Sequence, residues 1–520
     1  MSKGITIGLL LAFSFALLLR LPGLDQRPMH NDEAVNAIKF GALLEGGSYK
    51  YDPNEHHGPS LYYSTLALAR LTAAPRFADF TEARLRWISV LSGIGLILLL
   101  PLVIDGLGRC PTVWSAFFVA ASPAMVFYSR YFIHEMPLVF FTFLSLAAGW
   151  RYWRSRKIGW ALLAGAGIGL MHATKETFVI TLGAAAIALA LNQTWNRFLD
   201  ASGLPEKARP VHPGHLAAGL GAWLIVALVL FSSFFTNASG PLDSVRTYLP
   251  WLHRAGGDSP HIHSWAFYLH RLLFFHVPKG PIWSEGLILV LGVIGASAGF
   301  IRKKLGRANA SFVRFLAIYT FVLTVAYSLI SYKTPWCVLS FWHGMTLLAG
   351  VGAVVLIRAT RRPWAEIAMT ILLFVGAGQL AAQAWQASGR YAADPRNPYV
   401  YAHTSPDILN LVKKVEAIAQ VYPQANQMVI KVMAPESDYW PLPWYLRRFS
   451  QTGYWDQVPA DPFAPVMITS SKFQAALDDK KTHVMAGYFE LRPQVFFELY
   501  VELDLWRAYL AANPQPKAAD

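Results

Sequence analysis

The chain has 520 residues, of which 54% are hydrophobic and only 15% are charged. A soluble domain carries about 25% charged residues, so this composition excludes a wholly soluble protein and predicts one that crosses a membrane many times. The formal charge of +14 can indicate nucleic acid or anionic lipid as a partner. The basic residues, however, cluster in short loops between hydrophobic runs, where they are signals of topology. We therefore expect membrane lipid, and no nucleic acid, among the partners.

Hydrophobic segments of spanning length follow one another along most of the chain. The first begins near the N-terminus, and Leu21-Pro22-Gly23 after it lacks a small-residue cleavage site. We therefore expect a retained first helix and not a cleaved signal peptide. The pattern predicts an all-α polytopic bundle of about eleven transmembrane helices, at 5–21, 84–104, 112–128, 135–152, 158–173, 177–192, 214–236, 284–301, 311–330, 337–357 and 365–386.

The distribution of Lys and Arg predicts the orientation of these helices. Every second loop is basic, as expected of loops on the cytoplasmic side; these loops lie at 109, 151–157, 197–209, 302–307 and 358–362. The N-terminus is then cytoplasmic and the C-terminal region extracytoplasmic. The outer segments contain no cysteine, which is compatible with a bacterial or archaeal envelope. We expect a multi-pass protein of the inner (plasma) membrane.

Two domains are predicted, a transmembrane domain at 1–386 and a soluble α/β domain at 387–520. The transmembrane domain has two long outer loops, 22–83 and 237–283, the first containing an apolar stretch at 60–74 that resembles an interfacial helix. The soluble domain alternates helical and β-branched patterns; its predicted helices are 407–420 and 471–478, and its predicted strands are 428–433, 466–469, 483–490 and 496–503.

An acidic pair, Asp32-Glu33, follows the first hydrophobic segment. Polar groups near a bilayer often mark function, and a carboxylate can act as a general base toward an acceptor nucleophile. Neighbouring helical residues point about 100° apart, so one acid can face a pocket while the other binds a metal or a supporting residue. The alternative is structural, because acids in the first turn of a helix, with Asn31 as N-cap, are favoured by the helix dipole.

Three cations lie among aromatic or polar residues at the predicted outer ends of helices: Arg130, Lys175 and Lys333. Each can bind a phosphate, and the planar fork of Arg130 suits two parallel hydrogen bonds. The structural alternatives are an ion pair between Arg130 and Glu135, a tight turn at Lys175-Glu176, and a membrane-interface position for Lys333. His30, His57, His134, Glu135 and Glu176 are further candidate supporting residues.

Histidine pairs at His56-His57 and at His261 and His263 are candidates for a divalent metal site. Neither pair has the helical i, i+4 spacing of a zinc enzyme, and no cysteine accompanies them. The alternative is that they are ordinary polar loop residues. A basic and aromatic block lies in the predicted soluble domain, at Pro441-Leu442-Pro443-Trp444-Tyr445-Leu446-Arg447-Arg448. It either contacts headgroups or the lid of the site, or packs within that domain.

Taken in order along the chain, these blocks resemble membrane glycosyltransferases of the GT-C class, in the branch of the protein O-mannosyltransferases and aminoarabinose transferases. Within that branch the chain is most similar to the prokaryotic flippase-activity-associated protein family. The resemblance rests on His30-Asn31-Asp32-Glu33-Ala34, Tyr51-Asp52-Pro53 with His57-Gly58-Pro59, Tyr128-Ser129-Arg130-Tyr131, Ala173-Thr174-Lys175-Glu176, Tyr332-Lys333-Thr334-Pro335-Trp336 and Pro441-Leu442-Pro443-Trp444-Tyr445. One departure is His134-Glu135, where mannosyltransferases of this class often have an Asp.

The resemblance implies hexosyl or pentosyl transfer from a polyprenyl-phosphate sugar to an acceptor on the outer face, the acceptor being a protein, lipid or glycan. Asp32 or Glu33 would be the base of an inverting displacement, and Arg130, Lys175 and Lys333 would bind the donor phosphate. The alternative is a non-enzymatic accessory protein of lipid-linked sugar export, which would bind the same donor without turnover. A proton-coupled transporter ranks last, because the ionisable residues lie at helix ends and not at the centre of the bilayer.

Overall fold

The computed structural model describes residues 2–54, 57–72, 76–198, 210–251, 261–301 and 305–514. The chain packs as two units. Unit 1 contains Met1–Leu24, Ala42–Ala73 and Ala83–Tyr401, and unit 2 contains Asp25–Gly41, Ala74–Glu82 and Ala402–Asp520. Unit 2 therefore combines the C-terminal region with two short segments of the chain between residues 25 and 82.

Helices account for nearly all regular structure before residue 400. In chain order they are α1 (Lys3–Arg20), α2 (Asn31–Gly46), α3 (Ser60–Leu71), α4 (Glu82–Leu99), α5 (Ile104–Leu107), α6 (Arg109–Ala121), α7 (Pro123–Tyr128), α8 (Glu135–Ser155), α9 (Ile158–His172), α10 (Phe178–Phe198), α11 (Pro213–Phe231), α12 (Gly240–Arg246), α13 (Phe267–Leu273), α14 (Gly286–Gly299), α15 (Ala310–Leu329), α16 (Leu339–Ala359) and α17 (Pro363–Ser388).

Each predicted hydrophobic segment is helical, but fewer helices than the predicted eleven are long and apolar enough to span a bilayer. Within the described ranges, seven are long and apolar enough to cross a bilayer: Lys3–Arg20, Glu82–Leu107, Phe178–Phe198, Pro213–Phe231, Ala310–Leu329, Pro335–Ala359 and Pro363–Ser388. The helices Ile158–His172 and Gly286–Gly299 are shorter. The segment predicted at 112–128 is two helices, because Pro123 has no N–H to continue the first.

Small residues allow some helices of unit 1 to approach closely. A Cβ atom added to Gly295 of α14 would lie 2.0 Å from the carbonyl oxygen of Leu348, and one added to Gly352 of α16 would lie 1.9 Å from that of Leu291. Both distances are far below van der Waals contact, so these two backbones pack without room for side chains. Close packing through small residues is the usual way in which membrane helices associate.

Unit 2 is built on a mixed five-stranded sheet with the order β2-β1-β3-β5-β4. Strand β1 is parallel to both of its neighbours, β2 and β3, whereas β5 is antiparallel to β3 and β4. Its strands and helices are β1 (Ile430–Met433), β2 (Thr452–Trp455), β3 (Val466–Ser470), β4 (His483–Arg492), β5 (Val495–Glu502), α18 (Ile408–Val421), α19 (Leu442–Tyr445) and α20 (Leu503–Ala512). The predicted combination of a helical membrane fold with a C-terminal α/β domain is confirmed.

Three local features of unit 2 differ from the sequence prediction. The helix predicted at 471–478 is only a 3-10 turn, Ser471–Phe473, because Gln474 and Ala476 adopt positive φ angles of 47° and 43° that end the helix. Strand β2 was not predicted, since its four residues include Gly453, and glycine is depleted in strands. Helix α20 was also not predicted.

Candidate functional site

The two acids of the Asp32-Glu33 pair have different surroundings in unit 2. Glu33 is fully buried; its carboxylate lies 2.8 Å from the guanidinium of Arg27 and accepts a hydrogen bond of 3.0 Å from the backbone N–H of His30. Asp32 is half exposed, with 50% of its side-chain surface accessible. The carboxylate of Glu33 is therefore committed to internal contacts, whereas that of Asp32 faces solvent.

The first turn of α2 explains this difference. The imidazole Nδ1 of His30 accepts from the backbone N–H of Asp32 at 3.1 Å, so His30, and not the expected Asn31, supplies the capping group. Glu33, Ala37 and Phe40 are each fully buried and fall on one helical face. Because adjacent residues are about 100° apart around a helix, burial of this face turns Asp32 outward.

The block Pro441-Leu442-Pro443-Trp444-Tyr445 packs inside unit 2. The indole N–H of Trp444 donates to Glu82 at 2.8 Å, and the guanidinium of Arg447 lies 3.6 Å from the centre of the Trp444 ring. Arg447 also donates to the carbonyl oxygen of Phe80 at 2.5 Å. These contacts favour the packing alternative for this block.

In unit 1, the loop after α9 brings Lys175 to Glu135. Their charged atoms are 2.5 Å apart, and the two side chains are only 5% and 6% exposed. Burial lowers the pKa of Lys175, but the attraction of Glu135 and the hydrogen bond to it outweigh burial and raise this pKa above its ordinary value. The ammonium is thus charged and already neutralised by a carboxylate.

The neighbouring residue Glu176 binds His57, with 2.9 Å between the carboxylate and Nδ1. The backbone beside His57 is docked on the same loop, because Gly58 donates to the carbonyl oxygen of Thr174 at 3.1 Å. A Cβ atom on Gly58 would lie 2.2 Å from the carbonyl oxygen of Ala173. Position 58 therefore requires glycine for this close approach.

The imidazole of His134 completes this cluster. Its Nε2 lies 3.1 Å from the carbonyl oxygen of Gly58, and its ring centre lies 5.1 Å from that of His57. His57, His134, Glu135, Lys175 and Glu176, which come from separate segments of the sequence, thus form one cluster at the ends of helices in unit 1.

Arg130 does not pair with Glu135 in the structure. Its guanidinium donates to the carbonyl oxygens of Arg20 and Gly23, at 2.7 and 2.9 Å, beyond the end of α1. These carbonyls have no partner within the helix, so Arg130 satisfies backbone acceptors at the C-terminus of α1. The interpretation of Arg130 as an ion-pair partner of Glu135 is replaced by this contact.

Lys333 has a different environment from Lys175. Only 1% of the residue is exposed, and its ammonium donates to the carbonyl oxygens of His263, at 3.1 Å, and Ile330. Burial lowers the pKa of Lys333. Within the described ranges no carboxylate pairs with it, so its positive charge is held only by backbone dipoles.

A second cation, Arg271, belongs to the same region and was not predicted as a site residue. Its guanidinium lies 4.2 Å from the centre of the Phe267 ring, and no carboxylate of the described chain pairs with it. Burial lowers the pKa of His263, and the charges of Arg271, His261 and Lys333 lower it further. The only sequence signal for Arg271 was a single cation among aromatic residues, the pattern that also surrounds Lys333.

The candidate metal ligands are only partly described. His56 lies outside the described residues, and His57 is bound to Glu176. His261 and His263 both contact the hydroxyl of Tyr401, at 2.7 and 3.1 Å. In the part of the chain that the structure describes, no group of three or more His, Cys, Asp or Glu side chains is arranged to hold a metal ion. The metal site stays a prediction.

Comparisons with known proteins add to this geometry. Residues 71–239, less than half of the chain, match the family model described as dolichyl-phosphate-mannose-protein mannosyltransferase. No curated protein matches the chain significantly.

Among solved structures, ArnT from Cupriavidus metallidurans bound to undecaprenyl phosphate superposes with a TM-score of 0.61 at 15% identity, over 97% of this chain and 99% of that one. The archaeal oligosaccharyltransferase AglB from Archaeoglobus fulgidus, in complex with an inhibitory peptide and a dolichol-phosphate, superposes with a TM-score of 0.53 at 12% identity, over 91% of this chain and 70% of that one. At such identities the likeness establishes the fold. The chain has the fold of ArnT and AglB, and the resemblance to GT-C membrane glycosyltransferases expected from the sequence is confirmed.

Proposed function

We propose that this protein is an integral membrane glycosyltransferase that moves a sugar from a polyprenyl-phosphate donor to an acceptor on the outer face of the plasma membrane. The similarity to a mannosyltransferase family model and to two structures that hold polyprenyl phosphates supports the donor class. The observation that carries the proposal is the contrast within the acidic pair, where Glu33 is buried and neutralised while Asp32 is half exposed.

Asp32 is the general base of this proposal. Its carboxylate accepts the proton of the acceptor nucleophile, a hydroxyl in the simplest case, as the nucleophilic atom attacks the anomeric carbon of the sugar. The bond between that carbon and the phosphate oxygen breaks, and its electron pair leaves with the polyprenyl phosphate. Attack opposite the leaving group inverts the anomeric configuration. The phosphate is a good leaving group, so no general acid is required.

Cations are needed where charge develops on the departing phosphate. Lys333 and Arg271 suit this role because neither is neutralised by a carboxylate in the described chain. Lys175 carries its charge within an ion pair with Glu135, which makes it a weaker anion ligand. Arg130 is a further candidate donor ligand, and its guanidinium also donates to the carbonyl oxygens of Arg20 and Gly23. His30 supports Asp32 by accepting from its backbone N–H, and His57, His134 and Glu176 belong to the cluster that contains Lys175.

The same proposal places the N-terminus in the cytoplasm and unit 2 outside, following the distribution of basic loops. The acceptor is a protein, lipid or glycan on that side.

The test is mass spectrometry of lipid-linked and surface glycans in cells that produce the wild-type protein, Asp32→Asn or Asp25→Asn. Asp25 is an exposed acid of the same loop and serves as the matched control. We expect Asp32→Asn to remove a sugar from an outer-face glycan and to increase its polyprenyl-phosphate donor, with Asp25→Asn unchanged. Normal glycans in a folded, membrane-inserted Asp32→Asn variant would exclude the enzyme and favour the non-enzymatic accessory protein.

A further inference from the structure

The peptide group of Met29 is held from both sides by the C-terminal part of unit 2. Its N–H donates to the hydroxyl of Tyr445 at 2.8 Å, and its carbonyl oxygen accepts from the hydroxyl of Thr404 at 2.7 Å. Met29 is fully buried, and Tyr445 and Thr404 are 8% and 2% exposed. Met29 lies two residues before α2 begins, so these bonds fix the backbone from which the helix starts.

A second set of contacts fixes α2 further along. The ring of Phe40 packs on Phe80 at 5.0 Å and on Phe77 at 6.4 Å between ring centres. Phe77 in turn packs on Trp444 at 5.6 Å. The start of the helix and its third turn are thus both attached to the chain near residues 440–447.

These two attachments together determine the rotation of α2 about its axis. A helix held at one point can turn until another face is buried, whereas one held at both ends of a buried face cannot. A rotation of about 100° would turn Asp32 to the buried direction that Glu33 now occupies. The attachments therefore decide that Glu33 is buried and Asp32 is exposed.

We infer that Tyr445 and Thr404 are positioning residues, through which the C-terminal fold aims the carboxylate of Asp32. For turnover this inference rests on the proposed function, but its structural part can be measured without it. Misplacing a catalytic group by about 1 Å can reduce a rate on the order of 100-fold, so even a small shift of the loop has a measurable effect.

The experiment uses the full-length protein in lipid nanodiscs and the variants Tyr445→Phe and Thr404→Val, which each remove one hydroxyl. Thr404→Ser keeps the hydroxyl, and Tyr488→Phe removes an exposed one from the same unit. Hydrogen–deuterium exchange is measured for peptides covering residues 27–36. Initial rates of sugar transfer are measured with kcat and donor KM separated.

We expect Tyr445→Phe and Thr404→Val to speed exchange at 27–36 by about 10-fold, the effect of losing one hydrogen bond. In the same two variants kcat should fall by about 10-fold or more with donor KM unchanged. Thr404→Ser and Tyr488→Phe should resemble the wild type in both measurements.

Unchanged exchange in both variants, or faster exchange with an unchanged kcat, would overturn the inference while leaving the proposed function intact. If the wild type transfers no sugar but the two variants exchange faster, the proposed function is overturned, and the hydrogen bonds of Met29 with Tyr445 and Thr404 are still supported. General unfolding is recognised by faster exchange in the strands of the sheet. In that case Thr404→Ser is compared with Thr404→Val. Slower exchange in Thr404→Ser supports the hydroxyl contact, and equal exchange in the two variants overturns it.

Discussion

The guanidinium of Arg27 lies 2.8 Å from the carboxylate of Glu33, and both side chains are buried. This ion pair is what separates two chemically similar neighbours. Removing one partner of a buried pair leaves an uncompensated charge, so Glu33 is tied to the stability of unit 2. Asp32 has no such constraint and is exposed enough to meet a substrate.

The first prediction concerns stability and activity at the acidic pair. Glu33→Gln should destabilise unit 2 by about 3–5 kcal/mol, because the buried ion pair with Arg27 loses its negative charge. Asp32→Asn should leave stability within about 0.5 kcal/mol, as expected for an exposed position, and yet abolish sugar transfer. Thermal unfolding in detergent and transfer assays on the same preparations measure both effects.

A control for the Glu33 effect is Arg27→Met combined with Glu33→Leu, which removes both charges and should be more stable than Glu33→Gln alone. If instead Asp32→Asn is the destabilised variant and Glu33→Gln keeps full stability, the assignment of roles to the two acids is wrong.

The second prediction concerns the close approach at Gly58. Gly58→Ala should destabilise unit 1 by about 1–3 kcal/mol, since the added Cβ atom would meet the carbonyl carbon of Ala173 at 2.4 Å. Gly149→Ala is the matched control. Gly149 lies in helix α8, and a Cβ atom added there would have no neighbour within 4 Å. The unfolding temperature of the two variants is compared. Equal values would show that the loop at 173–176 moves to accommodate the methyl group.

The third prediction follows from the pKa of Glu176. Burial raises this pKa, but the charge of His57 and its hydrogen bond, with the charge of Lys175, hold it below the ordinary value of 4.5. The unfolded chain therefore takes up a proton at higher pH than the folded one. The stability that this group supplies is complete above pH 4.5 and is lost as the pH falls through the depressed value.

Unfolding of the wild type and of Glu176→Gln is measured between about pH 6 and about pH 3, the range in which a carboxyl group titrates. The wild type should lose more stability on acidification than the variant. Parallel curves would mean that Glu176 has the same pKa in both states.

The fourth prediction concerns the two cations without carboxylate partners. Lys333→Gln and Arg271→Gln should each weaken binding of undecaprenyl phosphate by about 10- to 100-fold, the usual effect of losing a charged hydrogen bond. The remaining binding should also depend less on salt, because less charge is left to screen. Binding at low and high salt measures this. Arg390→Gln changes an exposed arginine and is the control; an equal loss in all three variants would indicate a general charge effect and no specific site.

Much of the fold follows from local sequence patterns. Each apolar run predicted as a membrane span is helical in the structure, because a helix satisfies its own backbone hydrogen bonds and needs only local composition to form there. The strands β1, β3, β4 and β5 were predicted for a similar reason, from short β-branched runs. Strand β2 lacked that signal and was not predicted. Pro123 divides one predicted span into two helices.

The candidate site was predicted only as a set of residue types. The sequence indicated that carboxylates and cations would lie at the outer ends of helices, since charged groups avoid the apolar part of the bilayer. It did not indicate that Lys175 binds Glu135, that Arg130 caps α1, or that Arg271 lies free of carboxylates in the described chain. Each of these contacts joins residues that are distant along the chain, so no local spacing encodes them.

The acidic pair illustrates the boundary between the two kinds of information. The sequence by itself determined that Asp32 and Glu33 begin a helix and therefore point in different directions, because the helical period is set by backbone geometry. Only the tertiary structure decided which of them is exposed. That choice depends on the rotation of α2, which is fixed by the burial of Phe40 against Phe80 and by the pairing of Glu33 with Arg27.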